Sequence, residues 1–172
     1  MNQYLKILLG NLLLNQGPQD FPHSKLLMRL SLLIYFVTML PGLMVRLEFE
    51  VAVFAAVLDV FMLVLFVYLC LQAFAKSERF IQAVTALACV SFVFQLAIWP
   101  LLNILTESPG EEQVAITYLS ILGIQAWLLA VYTHIFRESF GVRLPAAMLL
   151  TVCYVVINIM AGQILLPEVS SQ

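Results

Sequence analysis

The stretch VAVFAAVLDVFMLVLFVYLC, residues 51–70, is apolar at nineteen of its twenty positions. As an α-helix it is about 30 Å long, the thickness of the hydrocarbon core of a bilayer. Such a helix is apolar all round and has no face to offer water. Four further apolar runs have comparable length. Spans are therefore expected at about 25–45, 51–74, 80–105, 114–135 and 145–166. Lipid satisfies no backbone polar groups, so only helices or a closed barrel can cross it. Barrel strands would alternate polar and apolar residues, and these runs do not. The expected fold class is an all-α membrane protein, a bundle of five transmembrane helices preceded by a short N-terminal interfacial helix.

Composition agrees. Of 172 residues, 63% are hydrophobic and 10% are charged, against about 25% charged in a soluble domain. Lipid must solvate the excess. The net charge of -2 argues against a nucleic-acid partner, which calls for a basic patch. The breaks RLEFE (46–50), AKSER (75–79), TESPGEEQ (106–113) and RESFGVRL (137–144) are too short to hold a folded domain. The chain divides into a lead-in over 1–24, a transmembrane domain over 25–166 and a tail over 167–172.

Alternation of the spans places Lys6, Lys25, Arg29, Lys76, Arg79, Arg137 and Arg143 on the face that carries the N-terminus, the first face. Only Arg46 falls on the second face. Basic residues accumulate in cytoplasmic loops, so the N-terminus is expected in the cytoplasm and the C-terminus outside, with a bacterial inner membrane as the setting. Glu48, Glu50, Glu107, Glu111, Glu112 and Glu168 lean the other way.

The segment MNQYLKILLGNLLLN is too short to span, and no small-residue cleavage site precedes QGPQDFPHS. Leu5, Leu8, Leu9 and Leu12 share a helical face, which fits a helix lying in the membrane interface; a helix buried against the bundle is the alternative.

Motifs for chemistry are sparse. Cys70, Cys89 and Cys153 fall on three different spans with no CxxC, which fits core packing. His23 and His134 have no second ligand at helical spacing. HExxH, GxSxG and a Gly-Lys-Ser/Thr phosphate loop are all missing. No cofactor, metal or catalytic residue is expected, and the chain is not read as an enzyme.

Asp59 is the exception, because a carboxylate at the bilayer centre costs about 2.5–3.5 kcal/mol on insertion scales. Ala52, Ala55 and Ala56 share its helical face, and small residues let another helix approach closely. These alanines are the expected packing seam, and they turn Asp59 toward protein. Counting 1.5 Å per residue, Asp59, Thr38, Gln95, Gln125 and Asn158 lie roughly 10–17 Å from the second-face ends of their spans. Each span thus supplies one polar residue near one level, an expected polar layer, in which Asp59 as a neutral acid donates to an amide oxygen such as that of Gln95 or Asn158. Ala88, Ser91 and Gln95 align on one helical face, as do Thr151, Tyr154, Asn158 and Ala161. Arg29 is the alternative counter-ion, but it sits near the first face and snorkels there more simply.

The five spans, the short leading helix and the piece LLLNQGPQDFPHSKLL (12–27) resemble the Yip family of small integral membrane proteins, in particular its small bacterial members. The resemblance covers nearly the whole chain. It implies membrane organisation or trafficking and no catalysis. The eukaryotic branch carries an Asp-Leu-Tyr-Gly-Pro motif; here Gly17-Pro18 is present and Asp20 follows it, which argues against GTPase binding. The expected function is a non-enzymatic scaffold or accessory subunit of a membrane complex, with the lipid bilayer and a membrane-protein partner or second copy as its company. The alternative is a small proton- or cation-linked transporter that uses Asp59. Against it stand the lack of an inverted repeat and of paired Gly/Pro interruptions at mid-span.

Overall fold

The computed structural model describes residues 3–45, 47–106 and 110–165. Arg46, Glu107 and the tail at 167–172 lie outside the described residues, as do the side chains of residues 3–5. The described residues form six α-helices: α1 (Gln3–Leu12), α2 (Lys25–Met44), α3 (Phe49–Ala73), α4 (Phe80–Thr106), α5 (Glu111–Phe140) and α6 (Leu144–Leu165). Among the described residues there is no strand. Helices α2 to α6 are long and apolar enough to cross a membrane. The protein is an all-α integral membrane bundle of five spans with a short leading helix.

Local chemistry sets the helix ends. Ser24 caps α2 by accepting from Leu27 N at 3.3 Å, which satisfies one of the amide donors left free at a helix start. α5 runs past the expected end near 135, through Arg137 and Glu138, to Phe140. Charged residues that looked like a break are good helix formers, and the helix stops only where Gly141 turns left-handed at φ 63°.

Helix α4 is the centre of the bundle, packed against α2, α3 and α5. Its run from Ala83 to Ala88 is buried without interruption. Burial is lopsided along the bundle. On α5, Val131, Tyr132, Thr133, Ile135, Phe136, Ser139 and Phe140 are buried in the first-face half, and only Thr117 is buried in the other half. The first-face half is filled by an aromatic column. Phe66 lies 5.6 Å from Phe136, Phe136 stacks on Phe140 at 5.2 Å, and Phe140 stacks on Phe74 at 5.7 Å. The second-face half is looser. Pro41 in α2 and Pro100 in α4 both fall there, and each removes a backbone bond that would stiffen its helix.

The lead-in is tied down. His134 of α5 meets the Gln16 carbonyl at 2.9 Å, and Gln82 of α4 donates to the carbonyls of Gln19 at 2.9 Å and Phe21 at 2.7 Å. α1 exists as expected and packs on the bundle, with Leu8 and Leu12 of the leucine face against the core. Ile7 and Asn11 are buried, while Leu9 is exposed. Leu9, Leu12 and Leu13 border a groove with Val93, Phe94 and Ala97 of α4 and Gly123, Ile124 and Trp127 of α5. Counted along α4, that groove begins about 20 Å from the first-face end, so α1 packs beside the middle of α4 and α5. The surroundings are lipid. Leucine is at home facing out, and the polar group needs the protein: Asn11 donates to the carbonyls of Ile7 at 3.0 Å and Gly17 at 3.4 Å.

Candidate functional site

Asp59 occupies the third turn of α3, on the face of the alanine seam and one turn on from it. Ala52 and Ala56 are fully buried and Ala55 is half-buried, so the small side chains do bring another helix close. Asp59 itself is half-buried. The Tyr35 hydroxyl of α2 donates to one carboxylate oxygen, Oδ2. The Asn158 amide of α6 donates to the other, Oδ1, at 2.8 Å. One side chain thus joins three helices, with Tyr35 24 residues before Asp59 in the sequence and Asn158 99 residues after it.

The polar layer expected from the sequence is present in part. Asp59 and Asn158 are bonded to each other. Gln95 and Gln125 line the same cavity as Asp59 but make no side-chain hydrogen bond among the described residues. Thr38 leaves the layer. Its hydroxyl donates to the carbonyls of Ile34 at 2.9 Å and Tyr35 at 3.0 Å in its own helix, the back-bonding that satisfies Thr without a partner. Tyr35, one turn earlier, takes the place expected of it. Arg29 is exposed and makes no ion pair among the described residues.

Two tyrosines were not legible as site residues. Tyr35 and Tyr132 are buried far from the helix ends, whereas membrane tyrosines collect at the interfaces. That displacement was the available signal. The hydroxyls of Tyr132 and Ser91 are 2.5 Å apart. Ser91 spends its proton on the Leu87 carbonyl at 2.7 Å, so Tyr132 must be the donor to Ser91. Tyr154 stacks obliquely on Tyr132 with centroids 5.8 Å apart. Nearer the first face, Thr133 of α5 donates to Thr151 of α6 at 3.0 Å.

These groups enclose a cavity of about 460 Å³. Tyr35, Ser91, Tyr132 and Tyr154 form its end toward the first face, directly above the aromatic column. Met39, Gln95, Ile98, Gln125 and Ile159 lie on the second-face side. The cavity is therefore one-sided in its chemistry: a polar, aromatic floor above the aromatic column, and a second-face wall that includes the exposed Gln125 and Ile159. Chemically, such a site can hold or release a proton or accept a cation. Cys70, Cys89 and Cys153 are free thiols away from it.

The tie predicts a graded response. Asp59→Asn keeps the shape and one acceptor, so it should fold with little loss. Asp59→Leu leaves Tyr35 and Asn158 without partners and should weaken the bundle by about 1 kcal/mol, since buried interhelical hydrogen bonds average ~0.6 kcal/mol each. Melting in detergent checks this; an Asn variant as weak as the Leu variant would refute the hydrogen-bond account.

No protein-family model, curated protein or solved structure matches the chain.

Proposed function

We infer that the protein is a non-enzymatic scaffold or accessory subunit that docks a partner transmembrane segment along α5. Gln125 carries this reading. It lies about 21 Å from each end of α5, is exposed, and makes no side-chain hydrogen bond among the described residues. Lipid offers it nothing, and an amide at that depth is best satisfied by another helix. The resemblance to the Yip family supports the same reading. A photo-crosslinking residue at position 125 should capture a discrete partner or a second copy in native membranes, and Gln125→Leu should release a co-purifying partner. Crosslinks to lipid alone would sink the proposal.

A second reading, a small cation- or proton-linked transporter, is favoured by Asp59 at the floor of a one-sided cavity. The two readings separate at one variant. If Asp59→Asn folds normally and retains function, the carboxylate is a structural tie. If it folds normally and matches a deletion phenotype, the carboxylate has a functional role and transport gains.

The proposed setting is a bacterial inner membrane with the first face cytoplasmic, on the strength of the seven basic residues there. A reporter active only outside the cytoplasm should work when fused after Gln172 and be silent within residues 76–79. The reverse pattern would overturn the orientation.

A further inference from the structure

The cavity has features that a structural tie does not use. Asp59 is the only acid in its wall, and no Lys, Arg or His lines it among the described residues. Each oxygen of Asp59 accepts one bond, and a carboxylate has about four acceptor sites, so capacity remains for a further donor. Ionising a carboxyl at this depth is costly without a counter-charge, and a bound cation would supply one. The rings of Tyr132 and Tyr154 line the same end, inclined at 45° to each other, and aromatic faces attract cations within about 6 Å.

The remaining wall selects the kind of cation. A hard metal ion wants about six oxygen ligands or more. Here Asp59 is the one charged ligand, both its oxygens already accept a bond, and the amides of Gln95 and Gln125 stand apart from it toward the second face. The sides are Met39, Phe94, Ile98 and Leu128, which suit a hydrocarbon body. A volume of about 460 Å³ falls within the ~300–1,000 Å³ of small-molecule sites. We propose that this cavity binds a small organic monocation, a protonated amine with an apolar body, which enters from the second-face side and sets its ammonium against Asp59 and the tyrosine rings. The inference extends the second reading above and does not depend on a partner at α5.

The test uses the full chain in zwitterionic nanodiscs, titrated calorimetrically with benzylammonium and, in parallel, with neutral benzyl alcohol, each corrected against empty nanodiscs. Benzylammonium should bind saturably and at least about tenfold more tightly than the alcohol. Asp59→Asn should lose that preference. Equal binding of the two ligands, or no saturable binding of benzylammonium, overturns the proposal. So does displacement of benzylammonium by millimolar sodium chloride at constant ionic strength, which would mark an inorganic cation site. Should Asp59→Asn not fold, the comparison on the unaltered chain decides alone. Equilibrium binding needs no gradient: intact binding without transport in liposomes overturns only the transport reading, whereas absent binding overturns this one.

Discussion

Leucine in place of Ala56 is expected to lower the stability of the bundle by about 1–3 kcal/mol, the usual result of forcing extra methylenes into a filled site. Ala56 has no exposed surface, and neither does Ala52 one turn away. Three added carbons must therefore push α3 off its neighbour, and the displacement carries Asp59 away from Tyr35 and Asn158. Phe61→Leu is the control. Phe61 sits on the same helix at 57% exposure, facing lipid, and its replacement should change stability by less than about 0.5 kcal/mol. Parallel melts in detergent read both. A phenylalanine variant that proves the more damaging would mean that α3 is turned the other way.

Phe136→Ala should cost about as much by the opposite route. Phe136 is fully buried, stacked on Phe140 and tilted against Phe66 and Tyr132. In water-soluble proteins Phe→Ala costs ~3–5 kcal/mol, which combines a transfer term with a cavity term. Here the separated helices remain in lipid, so the transfer term largely drops out. The lost packing remains, and a loss of roughly 2–3 kcal/mol is expected. The cavity floor should loosen with it, because Tyr132 and Tyr154 rest on this ring. Deuterium exchange at 131–136 should rise in the variant. A variant that melts like the parent would show that the aromatic column contributes little.

The spans were legible because bilayer thickness fixes their length. Lys25–Met44 and Phe80–Thr106 differ from the expected 25–45 and 80–105 by one residue. The helix faces were less legible, for a reason that separates α1 from α3. On α3 the inward face is marked by what is small, Ala52 and Ala56, and the alanine pattern identified it. On α1 the leucines define a face without saying whether lipid or protein meets it: Leu8 and Leu12 pack against the core, Leu9 faces outward and Asn11 is buried. Of the polar layer, depth placed Asp59 and Asn158 at one level but left Gln95 and Asn158 equal as partners, and the amide of Asn158 is the donor where the carboxyl was expected to be. Thr38 could not be excluded by depth, since its local bonds to Ile34 and Tyr35 depend on a rotamer. Tyr35 and Tyr132 were passed over because hydropathy counts tyrosine with the apolar residues, and their hydroxyls emerge only once helices from distant parts of the chain are side by side.

The clasp between Gln16 and His134 spans 118 positions. At synthesis rates of about 5–20 residues per second, Gln16 leaves the ribosome roughly 6–24 s before its partner. During that interval α1, with its buried Asn11, has no groove to enter, because neither α5 nor the finished flank of α4 is in the membrane. The early part of the chain is thus the late part of the assembly. A nascent protein arrested after α4 should present residues 3–24 to cytoplasm-side protease if the proposed orientation holds, and the same segment should become resistant once residue 140 has been inserted. Quality control acting on this protein would then have a simple mark of completion to read: an amphiphilic leading segment that stays accessible until the fourth span is in place.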